Sequence, residues 1–118
     1  MENAFGSFVR QRREALKAAS PAFSVRQVAG RLGVEPSYLS KIERGEFPPP
    51  AEETIVKLAG VLGEDADVML AMAGKVSGQL QAIICKRPAL FAAVLRELRD
   101  MPEHAVLRLV REVRDGKW

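Results

Sequence analysis

The chain has 118 residues, of which 47% are hydrophobic, 6% aromatic and 28% charged, and its formal net charge is +3. This length accommodates one compact domain or a small domain with an appendage. No stretch approaches the roughly 20 apolar residues of a membrane span, and residues 1–17 lack the apolar core of a signal peptide. We therefore expect a cytoplasmic protein without a membrane segment. The single cysteine, Cys85, excludes an internal disulfide and suits a reducing compartment.

The charged residues are unevenly distributed. Between Arg10 and Arg44 there are eight Lys and Arg residues against three acidic ones, whereas residues 45–74 are acidic. A basic N-terminal segment suits a polyanionic partner such as nucleic acid. A solvated, charged helix face is the alternative explanation.

The first third of the sequence predicts two helices. The apolar spacing in Phe5–Ala19 predicts the first, with Ala19 on its apolar side. Ser24 and Gln27 have the spacing of a capping box, which places the start of a second helix near Val25. Gly33 can adopt the left-handed conformation that ends this helix.

Three further helices are predicted up to Gly74. Pro36 suits the first position of a helix over about 36–44, and the prolines at 48–50 prevent its continuation. A fourth helix follows from Glu52. Asp65 can cap a fifth helix, which ends at Gly74. We expect the fifth helix to pack through Val68, Met69 and Met72. The other core positions expected in helices two to four are Val28, Ala29, Leu32, Leu39, Ile42, Ile55, Leu58, Ala59 and Leu62.

Residues 75–118 show three longer helical patterns, and no part of the chain shows the alternation of a strand. Pro88 and Pro102 separate the three patterns. The sequence therefore predicts an all-α protein. It has a five-helix domain over 1–74 and a C-terminal region of about three helices over 75–118.

Helices two and three form the arrangement of a helix-turn-helix unit, whose second helix enters the major groove of DNA. Ala29 allows the two helices to cross closely, and Gly33 supplies the turn between them. Apolar residues six and nine positions after this glycine, Leu39 and Ile42, hold the crossing together.

The stretch "VRQVAGRLGVEPSYLSKIERG", Val25 to Gly45, resembles the lambda-repressor-like (Cro/CI, XRE-type) DNA-binding family, and "SYLSKIERG" is its strongest part. The segment "LAGVLGEDADVMLAMAG" is similar to the fourth and fifth helices of that family. The resemblance covers roughly Phe5 to Gly74. It implies a five-helix domain that binds operator DNA, commonly as a dimer and often as a repressor.

The resemblance also implies roles for individual residues. Base edges would be read from the start of helix three and one turn later, by Glu35, Pro36, Ser37 and Lys41. Lys41 could donate to guanine, and Glu35 could accept from cytosine. The expected phosphate contacts are Arg10, Ser24, Arg26, Gln27, Tyr38, Ser40 and Arg44. Tyr38 as a core residue is an open alternative.

An ion pair is implied between helices one and three. In the family an arginine of helix one pairs with the glutamate that matches Glu43, and Arg13 occupies the matching position. We expect this pair to orient the recognition helix.

The apolar faces of the C-terminal helices need to be buried against another surface. A twofold homodimer would bury them and present two recognition helices about 34 Å apart. The expected dimer interface is Leu80, Ile84, Leu90, Phe91, Val94, Leu98, Val106, Leu109, Val110 and Val113. Packing of these helices on their own domain is one alternative. A toxin or metallopeptidase partner, as in an antitoxin-type or peptidase-regulated regulator, is the other.

Catalysis is not expected. The chain has one His and one Cys, no glycine-rich phosphate loop and no metal-binding motif. Together with this absence, the resemblance to the lambda-repressor-like family predicts a transcription regulator that needs no cofactor and no metal. It would bind double-stranded DNA, acting as a repressor on a near-palindromic operator.

Overall fold

The computed structural model describes residues 4–118, and the described chain is entirely helical apart from turns and connectors. The predicted start of the first domain, residues 1–3, lies outside the described residues. The eight α-helices of the described part are α1 (Ala4–Lys17), α2 (Val25–Leu32), α3 (Pro36–Glu43), α4 (Glu52–Leu62), α5 (Ala66–Met72), α6 (Gly78–Lys86), α7 (Pro88–Leu98) and α8 (Glu103–Asp115). The predicted all-α class is confirmed.

Short side chains cap the helices where the sequence indicated. The Ser24 hydroxyl accepts a hydrogen bond from the Gln27 N–H at 3.2 Å, which starts α2. The Asp65 carboxylate accepts hydrogen bonds from the N–H groups of Asp67 and Val68 at the start of α5. Glu35 precedes α3, but its side chain makes no capping hydrogen bond.

The first helix ends earlier than predicted. It stops at Lys17, and Ala19 is exposed rather than on a buried face. The reason is local, because the Ser20 hydroxyl accepts a hydrogen bond from the Ala22 N–H and starts a separate 3-10 turn, Pro21–Phe23. The chain therefore leaves the helical path before Ala19 can pack.

The chain divides into two compact units, one ending at Leu80 and the other Gln81–Trp118. The first unit has a single core to which α1 to α5 all contribute. Its buried apolar residues are Phe5, Val9, Val28, Ala29, Leu32, Leu39, Ile42, Ile55, Leu58, Ala59, Leu62, Met69 and Leu70. All nine core positions predicted in helices two to four are buried.

The packing face of α5 differs from the prediction. Met69 and Leu70 are buried, whereas Val68 and Met72 are exposed. In a helix of only two turns, the apolar spacing of residues 68–72 fits two neighbouring faces equally well. Contact with α4 selects the face that carries Leu70.

The second unit has no comparable core. No residue of α7 or α8 is buried, and the same holds for α6, whose first residues belong to the first unit. Cys85 is exposed as well. No described helix is long and apolar enough to cross a membrane.

Candidate nucleic-acid interface

The turn between α2 and α3 fixes how the third helix is presented. Gly33 has φ 74°, a left-handed conformation that favours glycine, and its N–H bonds to carbonyls in the last turn of α2. The Val34 N–H then donates to the Ala29 carbonyl at 3.0 Å. Ala29 is fully buried, so a larger side chain there would separate the two helices.

One side of α3 is buried and the other is accessible. Leu39, Ile42 and Glu43 form the buried side. Ser37, Lys41 and Arg44 follow at the i, i+4, i+7 spacing of one helix face. Ser37 and Arg44 are exposed, and Lys41 is half-buried. Polar groups on this face can therefore meet a ligand without displacing the core.

Seven more of the predicted contact residues belong to α2, α3 or the residues that precede them. Glu35 is exposed and Pro36 half-buried at the start of α3, and Tyr38 and Ser40, further along this helix, are also half-buried. Arg26 and Gln27 are exposed at the start of α2, next to the half-buried cap residue Ser24. Tyr38 packs against the edge of the core, so it combines a packing role with an accessible position.

A buried ion pair joins α1 to α3. The Arg13 Nε atom lies 2.7 Å from Glu43 Oε2, and Arg13 Nη2 lies 2.9 Å from Glu43 Oε1. Arg13 Nη1 also donates to the Phe23 carbonyl at 3.3 Å. This two-point contact fixes the relative orientation of both planar groups.

Burial and pairing act in opposite directions on Arg13. The hydrogen bond to Glu43 raises the pKa of Arg13 above its usual value, although burial acts to lower it. Both side chains are almost completely buried. A buried pair adds little net stability, but loss of one partner leaves an uncompensated charge in the interior. The pair therefore holds α3 in one orientation against α1.

Two exposed arginines lie beside this pair. Arg10 contacts Glu14 at 3.3 Å, and Arg44 pairs with Glu46. The hydrogen bond from Arg44 holds the pKa of the Glu46 carboxyl below its usual value. Exposed pairs of this kind are weak and exchange readily with competing anions. Both guanidinium groups can therefore turn to a phosphate.

A shallow groove between α1 and α3 brings several of these groups together. It is an open cavity of about 160 Å³, and its lining residues are Arg10, Arg13, Glu14, Val25, Ser40, Glu43 and Arg44. The structure thus places the predicted phosphate residues Arg10, Ser40 and Arg44 around one groove. Ser24, Arg26 and Gln27 do not line it.

The sequence interpretation missed one aromatic residue near this surface. Phe47, in the connector after α3, lies with its ring centroid 5.8 Å from that of Tyr38. The Lys41 ammonium lies 5.1 Å from the centroid of the same ring. The available signal was an aromatic residue two positions after Gly45 and before a run of prolines.

Residues 4–118 contain no group of three or more His, Cys, Asp or Glu side chains that could hold a metal ion. The polar groups of the site are hydrogen-bond donors, acceptors and cations. Their chemistry is that of binding a polyanion with hydrogen-bonding edges.

Comparison with known proteins gives an independent result. A family model described as a helix-turn-helix domain matches residues 4–72. Two Mycobacterium tuberculosis proteins, from strains CDC 1551 / Oshkosh and H37Rv, are each 38% identical over 69 residues, which is 58% of this chain. Each is named an uncharacterized HTH-type transcriptional regulator, and the match covers 45% of its length. No solved structure matches the chain significantly.

Proposed function

The chain belongs to the helix-turn-helix domain family, and on this basis we propose that it is a DNA-binding transcriptional regulator whose α3 enters the major groove. The observation that carries the proposal is the burial of one side of α3 and the accessibility of the other. Its apolar side and Glu43 are locked into the first unit, while Ser37, Lys41 and Arg44 stay accessible. The lambda-repressor-like subtype stays a prediction.

Base reading is assigned to the start and middle of α3. Glu35, Pro36 and Ser37 occupy the N-terminal end of the helix, which is the part that approaches base edges in proteins of this kind. Lys41 follows one turn after Ser37 and can donate to the O6 and N7 acceptors of guanine. The Glu35 carboxylate, which makes no capping hydrogen bond to α3, can accept from the amino group of cytosine.

Phosphate contacts are assigned to Tyr38 and Ser40 of α3 and to residues of α1, α2 and the end of α3. Arg10, Ser40 and Arg44 share the groove between α1 and α3 and can hold one strand of the backbone. Tyr38 and the start of α2, with Ser24, Arg26 and Gln27, supply further donors. These contacts would fix the position of the protein on DNA without specifying the sequence.

The Arg13–Glu43 pair has an orienting role in this proposal. Its two hydrogen bonds set the angle of α3 relative to α1. Since Glu43 is neutralised by Arg13, its carboxylate does not repel the phosphates that Arg10 and Arg44 attract.

We assign the C-terminal helices to homodimerisation. The expected interface residues Leu80, Leu90, Val94, Leu109, Val110 and Val113 are exposed, and Ile84, Phe91, Leu98 and Val106 are half-buried. Burial of such apolar area is favourable at about 25 cal/mol per Å². A twofold dimer would match a near-palindromic operator. Occupation of a promoter by that dimer would exclude polymerase and repress transcription.

The same exposed apolar residues support a second function. A partner protein, such as a toxin or a metallopeptidase, could cover α6 to α8 instead of a second copy. An antitoxin-type or peptidase-regulated regulator would then be the outcome. Measurement of the oligomeric state of the purified chain tests the first function, because a monomer would exclude homodimerisation and leave a partner protein to bury these faces. A toxin or peptidase gene beside the gene of this chain would favour the second function.

Lys41→Ala tests the proposed base reading. In selection from random duplex DNA, we expect the variant to lose preference at one base position in each half-site, by about 1–3 kcal/mol. Lys57→Ala, on α4, removes an exposed lysine outside α3 and is the matched control. An unchanged preference in the Lys41 variant would remove Lys41 from the base-reading residues.

A further inference from the structure

The connector after α3 folds back onto the last turns of that helix. Gly45 has φ 78°, which allows the chain to reverse at this point. The N–H groups of Glu46 and Phe47 both donate to the Lys41 carbonyl, at 2.9 Å and 3.3 Å. Two donors on one carbonyl fix the backbone of the connector against the residue whose side chain carries the ammonium.

This backbone arrangement brings the Phe47 ring to Lys41 and Tyr38. The ring lies 5.1 Å from the Lys41 ammonium and 5.8 Å from the Tyr38 ring, tilted by 49°. Phe47 is 40% exposed, although it is a large apolar residue. Phe47 therefore lies at the surface against these two side chains and is not part of the buried core.

The ring is the close partner of the Lys41 ammonium. Within residues 4–118 no carboxylate lies within 4.0 Å of this ammonium. The Glu46 carboxyl pairs with Arg44, and the Lys41 charge acts on it from a longer distance. An ammonium over an aromatic face is attracted by the electron density of the ring. A lysine stem has many rotamers, so this contact reduces the conformational freedom of Lys41 before any ligand binds.

We propose that Phe47 is a positioning residue that holds the Lys41 ammonium for base reading and thereby sets the DNA specificity of α3. This inference rests on the proposed function. Phe47 itself need not touch a base. A preordered Lys41 loses less freedom on binding, and it reaches fewer alternative acceptors, so discrimination between bases increases.

A set of three variants tests the inference in the full chain. Phe47→Leu keeps an apolar side chain and removes the ring, Phe47→Tyr keeps the ring, and Lys41→Met keeps the stem and removes the charge. Thermal unfolding of each variant establishes that it is folded. Base preference is then measured by selection from random duplex DNA.

We expect Phe47→Leu to reduce preference about threefold at the base position that Lys41→Met affects. Phe47→Tyr should retain the preference. In a Lys41→Met background, Phe47→Leu should have no further effect at that position, because the group that the ring holds is gone. An equal loss in both backgrounds, or no loss in either, would overturn the inference.

The outcomes of this experiment distinguish failure of the inference from failure of the proposed function. If the natural chain selects no DNA motif, the proposed function fails and the inference fails with it. If the natural chain and Lys41→Met behave as proposed while Phe47→Leu selects the natural motif, only the inference fails. A second measurement needs no DNA: the Lys41 Hε protons should show an upfield ring-current shift that Phe47→Leu abolishes. Absence of that shift in the natural chain would contradict the contact.

Discussion

The two compact units are built from similar helices but differ in what their apolar residues contact. In the first unit the apolar stripes of α1 to α5 converge on a common core, and Leu58 is only 1% exposed. In the second unit α7 and α8 carry apolar stripes just as regular, yet Leu95 is 54% exposed. Apolar periodicity thus identifies the face of a helix that must be buried. It does not identify the surface that buries it.

This difference in burial matches different roles for the two units. A rigid core is what a recognition helix needs, since base reading requires side chains held in fixed positions. Exposed apolar faces are what an association surface needs. Four sets of variants test whether the first unit reads DNA sequence from a rigid core and whether the second unit mediates association.

Loss of the buried carboxylate should have the largest effect. Glu43→Ala leaves the Arg13 guanidinium buried without its partner, and we expect the first unit to lose about 3–5 kcal/mol of unfolding free energy. The matched control in the second unit is Asp100→Ala, which removes the partner of Arg99 in a pair where both side chains are exposed. No measurable change is expected there. Urea unfolding followed by circular dichroism measures both, and equal losses would contradict the difference between the units.

A leucine deletion in each unit compares their packing. Leu58→Ala should cost about 2–5 kcal/mol of unfolding free energy, because it opens a cavity in the core. Leu95→Ala should cost less than about 1 kcal/mol, since little area is lost from an exposed position. The measurement is made at concentrations below the dissociation constant of any dimer. A Leu95 variant as damaged as the Leu58 variant would show that α7 is buried within one copy of the chain.

A carboxylate placed in the expected interface should weaken association. In a twofold interface the Val110→Glu substitution places one buried carboxylate in each copy of the chain. Burial of one unpaired polar group costs roughly 2 kcal/mol or more. The two carboxylates of the dimer together cost about 4 kcal/mol or more, so the dimer dissociation constant should rise at least about 700-fold. Arg108→Glu, which puts the same group on the opposite face of α8, is the control. Sedimentation equilibrium gives both constants, and an unchanged constant for Val110→Glu would exclude this face from the dimer.

Removal of a phosphate contact should have the smallest effect, and it should be independent of DNA sequence. Arg44→Ala should lower the slope of log affinity against log salt by about one unit. Arg96→Ala, which removes an exposed arginine of α7 in the second unit, should leave the slope unchanged. A loss of slope in both variants would mean that the second unit also contacts the phosphate backbone.

Local chemistry explains why much of the first unit could be predicted. The cap at Ser24 and the left-handed turn at Gly33 depend on residues close in sequence, so they can be read directly. The core positions of α2 to α4 follow from helical spacing over several turns. In α5 the apolar spacing over two turns was ambiguous. The prediction that Val68 and Met72 pack into the core was wrong.

The site divides in the same way. The resemblance to a known family supplied the pairing of Arg13 with Glu43, which spacing alone could not give because 30 residues separate them. The contact between Phe47 and Lys41 escaped prediction, since it depends on a chain reversal at Gly45 and on the path of a connector without regular structure. The apolar spacing of α6 to α8 does not identify the surface that buries these helices.

Sequence-specific DNA binding by α3 is tested most directly by selection with the full chain from random duplex DNA at near-physiological salt. We expect enrichment of a near-palindromic motif with two half-sites about 34 Å apart, which corresponds to one turn of DNA. Absence of any enriched sequence, with only weak and salt-sensitive binding, would contradict this expectation. That result would remove the first unit as a reader of DNA sequence and leave α6 to α8 as the functional surface of the chain.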